Sequence, residues 1–262
     1  MNWAHRQRFD IGGLPAVQAG AGPNVLLLHG VGLRAEAWGA QLDALARSAW
    51  VTAPDMPGHG ESRVIASQMR LADYTDAAMA VLDALEGPAV VVGHSMGAMI
   101  ALDLAARAPE RVRGVAALNA VFERSAAAAA AVQARAAVLD GRTHPDPSAT
   151  LERWFGSEPS PERDACHGWL GSVNPAAYKL AYTAFAHSPS PSRRAVAQLA
   201  CPALFMTGRL EPNSTPAMSQ AMAGLAPRGR ARIIEGAAHM MPMTHPKEVN
   251  AALTGFLNEV QP

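Results

Sequence analysis

Ala89-Val90-Val91-Val92-Gly93-His94-Ser95-Met96-Gly97 joins a short β-branched apolar run to a serine flanked by two glycines. The run predicts a buried strand and residues 98–107 predict a helix, so Ser95 falls on a sharp strand-to-helix turn. Gly93 and Gly97 leave room for backbone that side chains would obstruct. Such a turn exposes the hydroxyl and aims the positive end of the helix at a nearby oxyanion. We therefore predict that Ser95 is a nucleophile.

The rest of the chain repeats the strand-then-helix order. Continuous rather than alternating hydrophobicity is typical of strands that are buried on both faces of a parallel sheet. Helical patterns lie between these runs, and residues 7–18 predict a hairpin at a sheet edge. The sequence therefore predicts an α/β fold with a mostly parallel central sheet flanked by helices. The further strand-like runs are residues 25–28, 50–53, 112–118, 203–207 and 231–234, and the helical ones are 41–47, 74–85, 97–108 and 217–225.

Residues 123–198 break this order, because they contain no convincing strand. Long insertions between sheet elements often cover active sites, so we expect a helical lid, with helices that merely cover a sheet face as the alternative. The chain would then consist of a core in two parts, 1–122 and 199–262, and a cap between them. Some of the insertion's aromatic side chains are candidates for an apolar pocket wall, although helical aromatics also serve as core: Trp154, Trp169, Tyr178 and Tyr182.

A serine nucleophile needs a base and an acid from elsewhere in the chain. His239 follows the last predicted strand, where ligands meet an α/β sheet, and we prefer it to His245, which precedes a proline and a closing helix. Glu211 lies just past strand 203–207, which gives the order Ser, acid, His. Glu123, after the preceding strand, is the rival acid. The backbone amides of Val31 and Met96 are the predicted oxyanion donors.

Composition excludes several classes of protein. Hydrophobic residues make up 49% of the 262, and Lys+Arg and Asp+Glu number 22 each. The sequence therefore favours a folded protein, and it lacks the basic excess of a nucleic-acid binder. We find no apolar leader, no membrane span and no metal-binding spacing, so we expect a cytoplasmic protein with a small-molecule substrate and no cofactor. Cys166 and Cys201 allow at most one disulfide.

The chain resembles the α/β-hydrolase superfamily. The resemblance rests on His29-Gly30-Val31-Gly32 with Trp38, on 55–62 (D-x-P-G-x-G-x-S), on the Ser95 turn and on Gly236-Ala237-Ala238-His239. It implies a helical cap over 123–198, with Ser95 as nucleophile and His239 as base. The layout is similar to small carboxylesterases, enol-lactonases and carbon–carbon bond hydrolases. It predicts cleavage of a small, largely apolar ester or lactone through an acyl-enzyme, with carbon–carbon bond hydrolysis as the alternative.

One departure from the pattern and two rival readings remain. Such families usually have Asp where this chain has Glu211, and an unaccommodated methylene would misplace His239. A non-catalytic small-molecule receptor on the same fold is one rival. The other is a dinucleotide-dependent oxidoreductase, because residues 30–35 match G-x-G-x-x-A and Asp55 follows about twenty residues later. The oxidoreductase interpretation leaves the Ser95 turn unexplained.

Overall fold

A computed structural model describes residues 3–260, and its centre is one eight-stranded sheet. The strands lie side by side in the order β1-β2-β4-β3-β5-β6-β7-β8. Strand β2 pairs antiparallel with β1 and β4, and every other pairing is parallel. The predicted α/β fold is thereby confirmed. The strands are β1 (Phe9–Ile11), β2 (Leu14–Gly20), β3 (Asn24–Leu28), β4 (Trp50–Pro54), β5 (Ala89–His94), β6 (Val112–Leu118), β7 (Ala203–Gly208) and β8 (Gly229–Ile234).

Helices cover the sheet and fill the long insertion. A short 3₁₀ helix (Ala35–Trp38) precedes the first α-helix. In the described chain, five helices and no strand lie between β6 and β7. The α-helices are α1 (Gly39–Leu45), α2 (Leu71–Asp83), α3 (Met96–Arg107), α4 (Ala126–Ala137), α5 (Ser148–Phe155), α6 (Pro161–Ser172), α7 (Pro175–His187), α8 (Arg193–Ala197), α9 (Pro216–Leu225), α10 (Met241–Thr244) and α11 (Pro246–Val260).

Burial follows the predicted pattern at the centre of the sheet but not at its edge. Every residue of β5 and β7 is buried, and two large apolar clusters enclose the sheet. Strand β8 differs, because Arg230, Ala231 and Arg232 are exposed. Its prediction as a strand buried on both faces is therefore wrong. An edge strand has a neighbour on one side only, and the exposed arginines give that edge a charge that discourages pairing with other chains.

Four of the five insertion helices, α4, α6, α7 and α8, begin at residues whose side chains accept free N–H groups. The Ser125 hydroxyl accepts the N–H of Ala128, and Asn174 Oδ1 accepts those of Ala176 and Ala177. Such caps stabilise helices that the sheet does not template. Within residues 3–260, no helix combines the length and apolar character that crossing a membrane requires.

A buried ionic cluster links the residue before β1, the residue after β4 and the 3₁₀ helix. The Arg8 guanidinium contacts Glu36 at 2.5 Å and Asp55 at 3.0 Å, and all three side chains are almost fully buried. The Asp55 carboxylate also accepts the N–H groups of Ala35 and Glu61 at 2.9 Å each. Its oxygens are thereby used within the fold and are not free to bind a ribose. The cluster removes the carboxylate on which the dinucleotide reading depended.

Candidate active site

The turn that carries Ser95 has a strained backbone. Ser95 adopts φ 58° and ψ −118°, a combination that few non-glycine residues adopt. A Cβ at Gly93 would lie 2.0 Å from the Gly97 carbonyl oxygen, and one at Gly97 would lie 2.1 Å from that of Leu28. Helix α3 therefore lies close to both β5, at Gly93, and β3, at Leu28, with Ser95 at the tip of the turn, as the sequence predicts.

The structure brings Glu211 and His239 together. Glu211 Oε2 lies 2.7 Å from His239 Nδ1, and Oε1 accepts the N–H groups of Asn213 at 2.7 Å and Ser214 at 3.2 Å. Burial alone would raise the pKa of Glu211, but the charge and hydrogen bond of His239 and the two N–H groups lower it to about 2. The loop after β7 thus accommodates the longer glutamate side chain, and an ionised acceptor faces the imidazole.

The two rival residues lie elsewhere. Glu123 forms an exposed ion pair with Arg193 at 3.0 Å. The Nδ1 atom of His245 lies 2.9 Å from the hydroxyl of Thr244, also in an exposed setting. The structure therefore places neither of them against the Glu211–His239 pair.

Two buried side chains bind the backbone carbonyl of His239. His94 Nε2 lies 2.8 Å from the His239 carbonyl oxygen, and Asn119 Nδ2 donates to the same oxygen at 2.5 Å. Burial, aided by the nearby His239, lowers the pKa of His94 to about 3. A neutral His94 that donates from Nε2 satisfies this geometry. From the insertion of residues 123–198, the indole of Trp154 stacks on the His239 ring, with centroids 5.4 Å apart and planes inclined by 23°.

Hydrogen bonds of the His29 ring stabilise the predicted oxyanion turn. His29 Nδ1 lies 2.8 Å from the Gly30 carbonyl oxygen, and His29 Nε2 accepts the N–H of Met56 at 3.0 Å. Burial lowers the pKa of His29 to about 4, so its neutral ring can fill both roles. Among the turn, loop and side-chain hydrogen bonds of residues 3–260, neither the N–H of Val31 nor that of Met96 has an acceptor. Val31 lines the cavity that also contains Ser95 and His239, whereas Met96 is buried.

Ser95 and His239 line the same cavity, whose volume is about 80 Å³. At roughly 10–15 Å³ per water, this space suits a small ligand. Within the described residues no hydrogen bond joins Ser95 Oγ to His239. The turn at Gly30 lies close to Ser95, because a Cβ at Gly30 would lie 3.0 Å from the Cβ of Ser95. Catalytic hydrogen bonds are often long in enzymes without substrate and tighten once it binds.

The cavity wall combines aromatic rings with cations. Trp154, Tyr178 and Tyr182 line it, as the sequence suggested, whereas Trp169 packs edge-on against Trp3, with centroids 6.3 Å apart. The expectation of a largely apolar lining is incomplete, because three arginines share the wall: Arg124, Arg135 and Arg153. Sequence reasoning missed them, since an arginine in a helical insertion is most often solvated, and only the folding of the helices turns these three inward.

Neither cysteine is paired, and both are buried. In the part of the chain that the structure describes, no three His, Cys, Asp or Glu side chains cluster in a way that could hold a metal ion.

Comparison of the sequence with known proteins identifies the family. The profile described as the alpha/beta hydrolase family matches residues 25–252. The chain therefore belongs to the alpha/beta hydrolase family and is a hydrolase of the α/β fold. It is 37% identical over 243 residues to (E)-2-((N-methylformamido)methylene)succinate hydrolase of Acinetobacter baylyi, with 92% of each chain covered.

Two further relatives are esterases by name. The chain is 32% identical over 251 residues to the pimeloyl-[acyl-carrier protein] methyl ester esterase of Xanthomonas axonopodis pv. citri, which covers 92% of this chain and 97% of the relative. Among solved structures, it is similar to a thermophilic esterase from Thermogutta terrifontis with malate bound. That match has a TM-score of 0.86 and 26% identity, and it covers 98% of this chain and all of the other.

Proposed function

We propose that the protein is a serine hydrolase that cleaves a small ester or lactone through an acyl-enzyme. Ser95 is the nucleophile, His239 the general base and Glu211 the acid that orients it. The observation that carries the proposal is the 2.7 Å contact between Glu211 Oε2 and His239 Nδ1, in one site with a serine on a strained turn. With the Nδ1 proton held by Glu211, the Nε2 lone pair is free to accept the serine proton.

The proposed reaction follows the usual course of acyl transfer. Ser95 Oγ attacks the substrate carbonyl while His239 takes its proton, and the N–H groups of Val31 and Met96 stabilise the resulting oxyanion. The protonated histidine then gives its proton to the leaving alcohol. Water, activated by the same histidine, releases the acid product and restores Ser95. We place the helices of residues 123–198 over this site as a cap, since their Trp154 stacks on His239.

The esterase names of two relatives support cleavage of an ester. The test is hydrolysis of p-nitrophenyl esters with acyl chains of increasing length by the wild type and by Ser95→Ala. We expect turnover with an optimum at short chains, because the cavity is small, and loss of activity in Ser95→Ala with the fold intact. Full activity in Ser95→Ala would contradict the mechanism. An inert wild type would contradict cleavage of simple esters and would favour either a more specialised substrate or a non-catalytic receptor.

A second candidate is hydrolysis of a bond other than a carboxylic ester. The 37% identical relative is named for an N-methylformamido-methylene succinate, a name that specifies no ester. The same nucleophile, base and oxyanion donors serve amide or carbon–carbon cleavage when the leaving group receives its proton from the histidine. Hydrolysis of such enamide-type substrates at rates far above those of simple esters would favour this candidate over the first.

A further inference from the structure

Three arginines line the catalytic cavity without carboxylate partners. Arg124 lies just before α4, Arg135 on α4 and Arg153 on α5, and each side chain is partly buried. Within residues 3–260, none of them lies within 4.0 Å of an Asp or Glu oxygen. Partly buried cations usually acquire such partners, because losing water is costly for a charge. The cavity therefore concentrates positive charge that the fold leaves uncompensated.

Neutral groups hold the three guanidinium groups in place. Tyr182 accepts a hydrogen bond from Arg135 Nε at 3.1 Å, and Thr150 accepts one from Arg153 Nη2 at 3.0 Å. Arg124 lies over the ring of Phe185, 5.0 Å from its centroid. These contacts use few of the five N–H donors of each guanidinium. The remaining donors are available to an anion, and the side chains are already oriented before it binds.

The positive charge is local rather than a property of the whole chain. Lys+Arg and Asp+Glu are equal in number, so the formal net charge is zero. No Asp or Glu side chain lines the cavity, and the nearby Glu211 is engaged by His239 and two backbone N–H groups. Burial and the neighbouring Arg135 lower the pKa of Arg124, which agrees with a crowded cationic site. An anionic ligand would relieve this repulsion.

We propose that the substrate is a small dicarboxylate derivative whose carboxylates bind Arg124, Arg135 and Arg153 while its scissile carbonyl faces Ser95. This inference rests on the proposed function for the position of the carbonyl. One guanidinium is enough to bind one carboxylate, because it donates two parallel hydrogen bonds to the two carboxylate oxygens. Three such groups on separate segments of the insertion therefore match more than one carboxylate, within a cavity that suits a small molecule.

Binding to Ser95→Ala tests the inference without any need for turnover. Isothermal titration measures the affinity of this variant for succinate, for the neutral isostere succinamide, for the monoanion butyrate and for inorganic phosphate. We expect succinate to bind most tightly and succinamide not to bind measurably. Equal binding of succinate and succinamide would overturn the inference. Phosphate binding more tightly than succinate would also overturn it, because the site would then recognise a phosphoryl group.

Substitution of the arginines locates the site. In the Ser95→Ala background, Arg135→Gln and Arg153→Gln should each weaken succinate binding roughly 10- to 100-fold, the usual range for losing hydrogen bonds to a charged group. Arg142→Gln removes an exposed arginine of the same insertion and should leave the affinity unchanged. Arg135→Lys keeps the positive charge but loses the paired N–H donors of the guanidinium, so its affinity for succinate should lie between those of Arg135→Gln and Arg142→Gln. Equal effects of Arg142→Gln and Arg135→Gln would contradict the assignment.

Catalysis separates this inference from the proposed function. If wild-type protein hydrolyses neutral esters and dicarboxylates do not inhibit it, the inference fails and the proposed function stands. If Ser95→Ala binds succinate through the arginines but the wild type hydrolyses no ester, lactone or enamide, the inference about the anion stands and the proposed function fails.

Discussion

The glutamate at position 211 is the residue on which the proposed triad depends. Its carboxylate bonds both to His239 and to two backbone N–H groups of its own loop, so it fixes the imidazole and the loop together. Glu211→Gln should lower kcat by roughly 10³- to 10⁴-fold, because an amide no longer favours the tautomer with the proton on Nδ1. Glu211→Asp should cost about a hundredfold, since the acceptor retreats by roughly one bond length.

The measurement is kcat on the best p-nitrophenyl ester, with Glu235→Gln as the matched control. Glu235 is an exposed loop glutamate that pairs with Arg209 near the end of β8. Its substitution should leave kcat within a factor of about two. A Glu211→Gln variant that retains kcat within a few-fold of the wild type would refute the role assigned to this residue.

Sequence alone proposed Ser95, His239 and Glu211 because each follows a predicted strand of a parallel sheet, and the carboxyl ends of such strands share one edge. It could not separate Glu211 from Glu123 by geometry, since both follow strand ends. Only the fold turns Glu123 outward to Arg193. The cavity arginines were not predictable, because their inward orientation depends on how the insertion helices pack and not on any local pattern.

At the scale of elements, the strand–turn–helix unit depends on two glycines: Gly93 allows α3 to lie close to β5, and Gly97 allows it to lie close to β3. Gly97→Ala should prevent accumulation of folded protein or destabilise it by more than about 3 kcal/mol, since its Cβ would lie 2.1 Å from the Leu28 carbonyl oxygen. Gly168→Ala is the control. Gly168 lies exposed on α6 with open space at its Cβ position, so alanine should stabilise by roughly 0.5–1 kcal/mol.

Urea unfolding of both variants measures these effects. A Gly97→Ala protein as stable as the wild type would contradict the close approach of α3 to the end of β3. At this scale the sequence predicted the eight strands and helices α1, α2, α3 and α9, with bounds that differ by a few residues at most, but not the individual helices of the insertion, the 3₁₀ helix or α10. It failed on the burial of β8, because an apolar run does not reveal whether a strand lies at the centre or at the edge of a sheet.

At the scale of the whole molecule, three buried histidines make stability depend on pH. Burial lowers the pKa of His29 to about 4 and those of His59 and His94 to about 3, against about 6.5 in an unfolded chain. Between these values the unfolded state binds protons that the folded state does not. The contribution of these histidines to the free energy of unfolding is therefore fully present above pH 6.5. It decreases as pH falls, by up to about 1.4 kcal/mol per pH unit for each histidine.

The buried carboxylates of Glu36 and Glu211 extend this loss to lower pH. The pKa of each is held at about 2, against a usual value near 4.5: burial opposes the shift, while bonds to Arg8 and to His239, respectively, outweigh it. Their contribution is present above pH 4.5 and disappears as pH falls towards 2. Urea unfolding between pH 8 and 4.5 should show a steep decline below 6.5, which substitution of the exposed His144 by Gln leaves unchanged. A flat profile from pH 7 to 5 would contradict the account.

Labelling with a fluorophosphonate, followed by intact-mass and peptide analysis, tests whether Ser95 is an activated nucleophile. We predict one adduct on the wild-type protein, located on Ser95, no adduct on Ser95→Ala, and much slower labelling of Glu211→Gln at the same residue. An adduct of equal rate on Ser95→Ala, or a folded wild-type protein that does not react, would show that Ser95, His239 and Glu211 do not form a catalytic triad.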